Sequence, residues 1–188
     1  GVMYGLGDKL SFLRMIPVFG KLSDDMDLWA NFGLIDKAPT FDQVIQDWEG
    51  TMSTDPKNEK FTAFEMGMNA YSNDGTMMGK LNFYSTTWTD RITTKQVFNP
   101  ETEDDDYVYL TGINQVHSGI EAELAAQLHP MFRLDVAMGL GLWEFTDDAS
   151  GTYRDGDDDI EYAYALADLK VGDMPQRNIA VSYTHLRA

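Results

Sequence analysis

Cysteine is absent from all 188 residues, which excludes a disulfide framework, a thiolate zinc site and a thiol nucleophile. Basic side chains are scarce: 14 Lys and Arg stand against 31 Asp and Glu, a formal net charge of −17 with a pI near 4.3. Binding to nucleic-acid phosphates or to an anionic inner leaflet needs clustered Lys and Arg, so this balance argues against both partners. No apolar run reaches 18 residues, and no helix is expected to cross a bilayer. A β-barrel stays open, because its strands cross with alternation alone. An initiator Met and a signal peptide are also missing, Gly1 leads straight into structured-looking sequence, and the chain is expected to be a fragment. What is present is 43% apolar and 12% aromatic residues, enough for one folded domain despite the charge.

The strongest period is two. From Phe132 to Leu142 one parity reads Phe132, Leu134, Val136, Met138, Leu140, Leu142, and the other reads Arg133, Asp135, Ala137, Gly139, Gly141, Trp143. One face is therefore greasy and the other small or polar, the mark of a half-buried strand. The same alternation sets Phe64, Met66, Met68, Ala70 against Glu65, Gly67, Asn69. It sets Ile120, Ala122, Leu124, Ala126, Leu128 against Glu121, Glu123, Gln127, and Met26, Leu28, Ala30, Phe32, Leu34 against Asp27, Trp29, Asn31, Gly33.

The connections alternate in length. Short polar turns fall at Ser23 to Asp25, Ser72 to Thr76 and His129 to Met131, and read as hairpins. Long connections rich in Asp, Gly, Pro and Thr fall at Asp36 to Glu59, Phe98 to Asp106 and Thr146 to Asp159. Short turns at one end and long loops at the other describe an antiparallel up-and-down meander, as in transmembrane barrels. Residues 132–145 exceed the ~9 to 11 residues that a tilted strand needs to cross a bilayer, whereas sandwich strands average about 5 to 6.

Several strings resemble a known family. The run Asn31-Phe-Gly-Leu-Ile-Asp-Lys-Ala-Pro-Thr-Phe-Asp42, followed by Asp55-Pro-Lys-Asn-Glu-Lys-Phe-Thr-Ala-Phe-Glu-Met-Gly67, resembles the C-terminal barrel half of TonB-dependent outer-membrane receptors. Leu81 to Arg91 is similar to a recurrent strand ending in Trp-x-Asp-Arg, and Gly119-Ile-Glu-Ala-Glu123 resembles a descending strand. Leu169 to Gln176 is similar to a late element of a Bacteroidetes-type branch. The resemblance covers nearly all of residues 12–180. It implies part of an outer-membrane active transporter, with an N-terminal plug lying upstream and opened by an inner-membrane energy-coupling complex. The implied cargo is a small extracellular molecule or a glycan, such as a siderophore, a cobalamin or a sugar chain.

The last residues, Val181, Ser182, Tyr183, Thr184, His185, Leu186, Arg187 and Ala188, resemble the translation of a transposase adapter used in sequencing libraries. The expected organisation is a partial barrel domain over 1–180 and a non-native tail over 181–188, which leaves His185 without functional weight.

The acidic loops are the first candidates for chemistry: Glu101, Glu103, Asp104, Asp105 and Asp106 form one group and Asp147, Asp148, Asp155, Asp157, Asp158 and Asp159 another. Such density suits calcium, but no Asp-x-Asp-x-Asp-Gly run ends in Glu at the twelfth position, and solvated loops explain it. Glu121 and Glu123 share one strand face as polar lining. His117 and His129 have no metal-ligand spacing, and no nucleophile elbow or phosphate loop is present. No catalytic, cofactor or metal residue is assigned, and no enzyme is expected. Trp29, Trp88, Trp143, Tyr84, Tyr107, Tyr109, Tyr162 and Tyr164 read as interfacial girdle, sugar platforms or packing; Trp143, and Trp88 if its strand has no bulge, fall on the polar parity. Phe41, Val44, Ile45 and Trp48 have the spacing of one helical face within the longest loop.

The fold class expected is all-β, a partial transmembrane barrel of about 7 to 8 strands in a Gram-negative outer membrane. The rival readings are a passive channel or adhesin barrel, and a secreted calcium-binding β-sandwich.

Overall fold

A computed structural model of the chain describes residues 12–45, 57–99, 103–155, 158–172 and 174–185. The alternating segments form strands β1 (Phe12–Ser23), β2 (Met26–Lys37), β3 (Glu59–Tyr71), β4 (Met77–Asn99), β5 (Asp104–His129) and β6 (Phe132–Phe145). They are followed by β7 (Ala149–Asp155), β8 (Asp158–Tyr164) and β9 (Arg177–His185). All pairings are antiparallel, in the order β1-β2-β3-β4-β5-β6-β9, with β7 added to β5 and β8 to β7. Seven strands thus make the main path of an all-β meander, one sheet whose first and last strands do not pair among the described residues.

Register turns each strand's alternation into two coherent faces. One row crosses the sheet as Gly20, Leu28, Met68, Leu81, Ala122, Met138 and Ile179. The neighbouring row, one residue along every strand, reads Lys21, Asp27, Asn69, Lys80, Glu123, Ala137 and Ala180. Directly paired side chains share a face, so from β2 through β6 to β9 apolar parity meets apolar parity, and a slip by one residue would invert these rows. The apolar face is left uncovered, with Leu28, Leu81, Met138 and Ile179 all exposed. Strand β9 carries the pattern past residue 180, pairing Val181 with Val136 and Tyr183 with Leu134.

The short turns fall where the sequence puts them. In the turn at 72–76 the Asp74 carboxylate accepts hydrogen bonds from the Ser72 hydroxyl (2.6 Å), the Thr76 hydroxyl (2.7 Å) and the Thr76 backbone N–H (3.1 Å). These donors hold the Asp74 carboxyl down to about 2. Gly75 takes a φ of 68°, a left-handed conformation that side chains rarely adopt. At the turn before β6, the Met131 N–H donates to His129 Nδ1 (3.2 Å).

The other end departs from expectation in three places. Phe98 to Asp106, expected as a long loop, is mostly strand, since β4 continues to Asn99 and β5 starts at Asp104. Pairing is regular from Met77 to Trp88, slips by one residue at a bulge between Trp88 and Arg91, slips back between Arg91 and Thr93, and continues from Thr93 to Asn99 in the original register. Asp90 sits in the bulge at a φ of 56°, its N–H donating to Asn114 Oδ1 (2.9 Å). The stretch Thr146 to Asp159, also expected as loop, contains β7 and half of the β7–β8 hairpin. That hairpin packs on β5, where Leu110, Ile113 and Ala149 form a small core under Phe145, Tyr162, Tyr164 and Leu166. The expected helix is a single turn, Phe41–Val44, with the Ile45 N–H donating to the Phe41 carbonyl (2.8 Å). Trp48 lies outside the described residues.

The strand edge of β6 is finished by two segments. Below, β9 pairs with Phe132 to Leu140; above, Asp168 to Val171 bonds to Trp143 and Phe145. Gln176 bridges the gap with its side chain: Nε2 donates to the Trp143 carbonyl (2.8 Å) and Oε1 accepts from the Trp143 N–H (3.3 Å).

Candidate functional site

The face opposite the apolar rows carries the polar side chains together with Trp29, Tyr84, Trp88 and Trp143. Its lower part is made of cross-strand pairs: the Asn82 amide donates to Glu121 (3.2 Å), and Lys80 pairs with Glu123 (3.2 Å). Both Glu121 and Glu123 are therefore lining residues tied to direct register partners. Such exposed pairs contribute about 0 to 1 kcal/mol each, so their effect is to fix polarity more than stability.

Higher up, aromatic rings lie flat against the sheet over glycines. The Trp29 ring covers its register partner Gly67, where a Cβ would come within 2.6 Å of the indole. Tyr84 leans across β5 over Gly119, and its hydroxyl accepts a hydrogen bond from Trp143 Nε1 on β6 (2.9 Å). A side chain at 119 would block that bridge. Trp143 also lies against the His117 ring, with centroids 5.5 Å apart. Trp29, Tyr84 and Trp143 thus occupy the polar face, and so does Trp88, because its strand has no bulge before that residue.

A denser cluster stands at the base of the loops. Trp88 packs against Phe61 (4.5 Å between centroids, ring planes inclined by 31°) and carries the Arg91 guanidinium 4.5 Å from its ring centroid. Trp88 Nε1 donates to Glu59 (3.2 Å), a carboxylate only 2% exposed that also meets Lys37 Nζ (3.3 Å). Beside Trp88 in register is Gln115, 1% exposed, whose Oε1 lies 3.0 Å from His117 Nε2 and whose Nε2 has no partner among the described residues. Glu59 and Gln115 carried no motif and were not singled out; burial of a polar side chain is a signal that only the fold provides.

Two of the loop carboxylates are fasteners. Asp147 accepts from the Asn114 amide (2.9 Å) and the Thr146 hydroxyl (2.7 Å), which hold its carboxyl below the usual range. Asp148 accepts from the N–H groups of Leu166 (2.9 Å) and Ala167 (3.0 Å), closing the loop that follows β8. Glu103 is an exposed turn residue, and Asp104, Asp105, Asp106, Asp155, Asp158 and Asp159 lie in strand backbone. Glu101 and Asp157 fall outside the described residues. Among the described residues no group of three acidic or histidine side chains is placed to hold a metal. Tyr162 and Tyr164 pack in the hairpin core, and Tyr107 and Tyr109 lie in the upper part of β5.

A one-sheet antiparallel meander with an exposed apolar face, short turns at one end and long hairpins at the other is the architecture of a barrel segment. The chain belongs to the TonB-dependent receptor-like β-barrel family, whose model matches residues 13–187. This is a family of Gram-negative outer-membrane proteins. Among solved structures the chain is similar to the copper transporter OprC, with a TM-score of 0.55 and 15% identity. The likeness covers 76% of this chain and 25% of that one, so the chain spans about a quarter of that protein's length. At this identity the likeness concerns the fold. No curated protein sequence matches the chain.

Proposed function

We propose that this chain is a segment of the barrel of an outer-membrane receptor that imports a bulky nutrient by energy coupling. The observation that carries the reading is the apolar row from Leu28 to Ile179, continuous across six strands and backed by a polar row on the other face. On this reading the apolar face meets lipid and the polar face lines the lumen. The long β4–β5 and β7–β8 hairpins face outside, and the turns at 24–25, 72–76 and 130–131 face the periplasm. The inner-membrane coupling complex acts through an N-terminal plug encoded outside this chain. The cargo class is a siderophore, a cobalamin or a glycan, and the branch is the Bacteroidetes type. The role is transport and not chemical transformation. Residues 181–188 are read as adapter-derived, which resequencing of the locus from independent DNA checks.

The rival with the same alternation is a passive channel. Uptake by cells expressing the complete receptor, measured with and without the coupling complex, separates the two. Dependence on the complex supports the receptor; equal uptake without it supports the channel.

A further inference from the structure

In a chain with more than twice as many acidic as basic residues, a guanidinium without a carboxylate partner stands out. Arg91 is such a group: half-buried, it rests on the Trp88 ring, and among the described residues it forms no ion pair and no side-chain hydrogen bond. The nearby buried carboxylate, Glu59, is taken by Lys37 and by the Trp88 indole N–H. Stacking on an indole leaves the planar fork of N–H donors unused, and that fork matches a carboxylate in a bidentate fashion. The backbone explains the placement. The bulge after Trp88 shortens the ladder, so Arg91 comes back over the ring it follows by three residues.

A second donor in the same place is also unmet. Gln115 faces Trp88 directly across the ladder, so it lies on the same side of the sheet as the ring that carries Arg91. Its Oε1 is engaged by His117, leaving the amide nitrogen buried without an acceptor among the described residues. A buried donor without a partner carries a desolvation penalty that an arriving acceptor removes. Phe61, Trp88 and Trp143 wall the cluster with apolar surface, which strengthens a charged hydrogen bond formed there.

We infer that Arg91, held over Trp88 and neighbouring the unmet Gln115 amide, forms a binding site for the carboxylate of a solute, on the polar face at the base of the loops. The site rests on the reading of that face as lumen. It places a cationic step beneath a strongly acidic outer loop region, which gives an anionic group of the cargo a fixed counter-charge there.

The test is calorimetric titration of citrate into the complete receptor in detergent micelles, with sorbitol as the uncharged comparison. Saturable citrate binding and no sorbitol binding are expected. Arg91→Gln should weaken citrate by about tenfold or more, the loss of one charged hydrogen-bonding group. Arg91→Lys should recover part of the affinity, since charge returns without the fork. Arg133→Gln should leave it unchanged, because that guanidinium is already engaged by Asp135 (2.7 Å). The folded barrel is followed in parallel by its heat-modifiable mobility on gels. A folded receptor that does not bind citrate, or binds it equally well as Arg91→Gln, overturns the site while the barrel reading stands; a wild-type chain without heat-modifiable mobility counts against the barrel reading itself. A carboxylate from another part of the receptor already seated on Arg91 gives the first of these results.

Discussion

Replacing Gly119 by alanine should damage the sheet far more than the same change at Gly79. A Cβ at 119 would stand 2.5 Å from the Tyr84 hydroxyl and 2.7 Å from the Leu140 carbonyl oxygen. Carbon contacts are comfortable only at about 3.5 to 4.0 Å, so the overlap with the carbonyl approaches 1 Å. Tyr84 can rotate away, but the Leu140 carbonyl belongs to the neighbouring strand and moves only with the β5–β6 ladder. Overpacking of this kind costs about 1 to 3 kcal/mol. Displacing Tyr84 also breaks its bond to Trp143, a further ~0.5 to 1.5 kcal/mol. Gly79 is the control, because its only neighbour within 4 Å is the Glu123 carbonyl, at 4.0 Å. Alanine there should be neutral or stabilising by about 0.5 to 1 kcal/mol, through the loss of glycine's freedom in the unfolded chain. The assay is the urea midpoint for loss of heat-modifiable mobility in lipid vesicles. Adding Tyr84→Phe should rescue Gly119→Ala only in part, since the backbone contact remains. Equal midpoints for the alanine variants at 119 and 79 would refute this account of the close approach.

Two further outcomes are expected. Single cysteines at Asp105 and Asp74 of the complete receptor should label differently with an impermeant maleimide on intact cells, with 105 reactive and 74 protected; preferential labelling of 74 inverts the topology. The 72–76 turn should loosen in acid: the folded-state carboxyl of Asp74 sits below its unfolded value, so its contribution is complete above about pH 4 and lost as pH falls through about 2. Hydrogen exchange at the Thr76 and Met77 amides reads this, and Asp74→Asn should abolish the pH dependence; a titration midpoint near 3.8 in the native protein contradicts the hydrogen-bond assignment.

Alternation made the lower sheet legible in the sequence. Six large residues in phase from Phe132 to Leu142 admit one strand and one facing, and the placing of Glu121 and Glu123 on one polar face follows from parity in the same way, whereas their partners Asn82 and Lys80 come from the register. Above Trp88 the pattern fails for a local reason. The register slips at Thr89 and Asp90 and slips back before Thr93, which interrupts the alternation, so Phe98 to Asp106 reads as loop although β4 and β5 pair as far as Asn99 and Asp104. The β7–β8 hairpin is rich in Asp, Gly and Thr and has no strong apolar row of its own; its order comes from pairing on β5, a contact distant in sequence. The Arg91 and Gln115 cluster was hidden for the same reason. Arg91 closes the Trp-x-Asp-Arg run, but nothing in its neighbours shows that Glu59, 32 residues earlier, is already engaged by Lys37.

Lipid exposure is the central claim, and Met138 against Ala137 tests it most directly. Met138 lies in the apolar row between Ala122 and Ile179, whereas Ala137 lies in the polar row beside Glu123. In a complete receptor with its plug removed, Met138→Arg should lower the folding free energy in lipid by ~2 to 4 kcal/mol, the cost of an arginine near the bilayer midplane. Ala137→Arg, facing water and the Glu123 carboxylate, should fold and insert nearly as well as the parent. If the two substitutions prove equally mild, the row does not face hydrocarbon and the barrel reading fails.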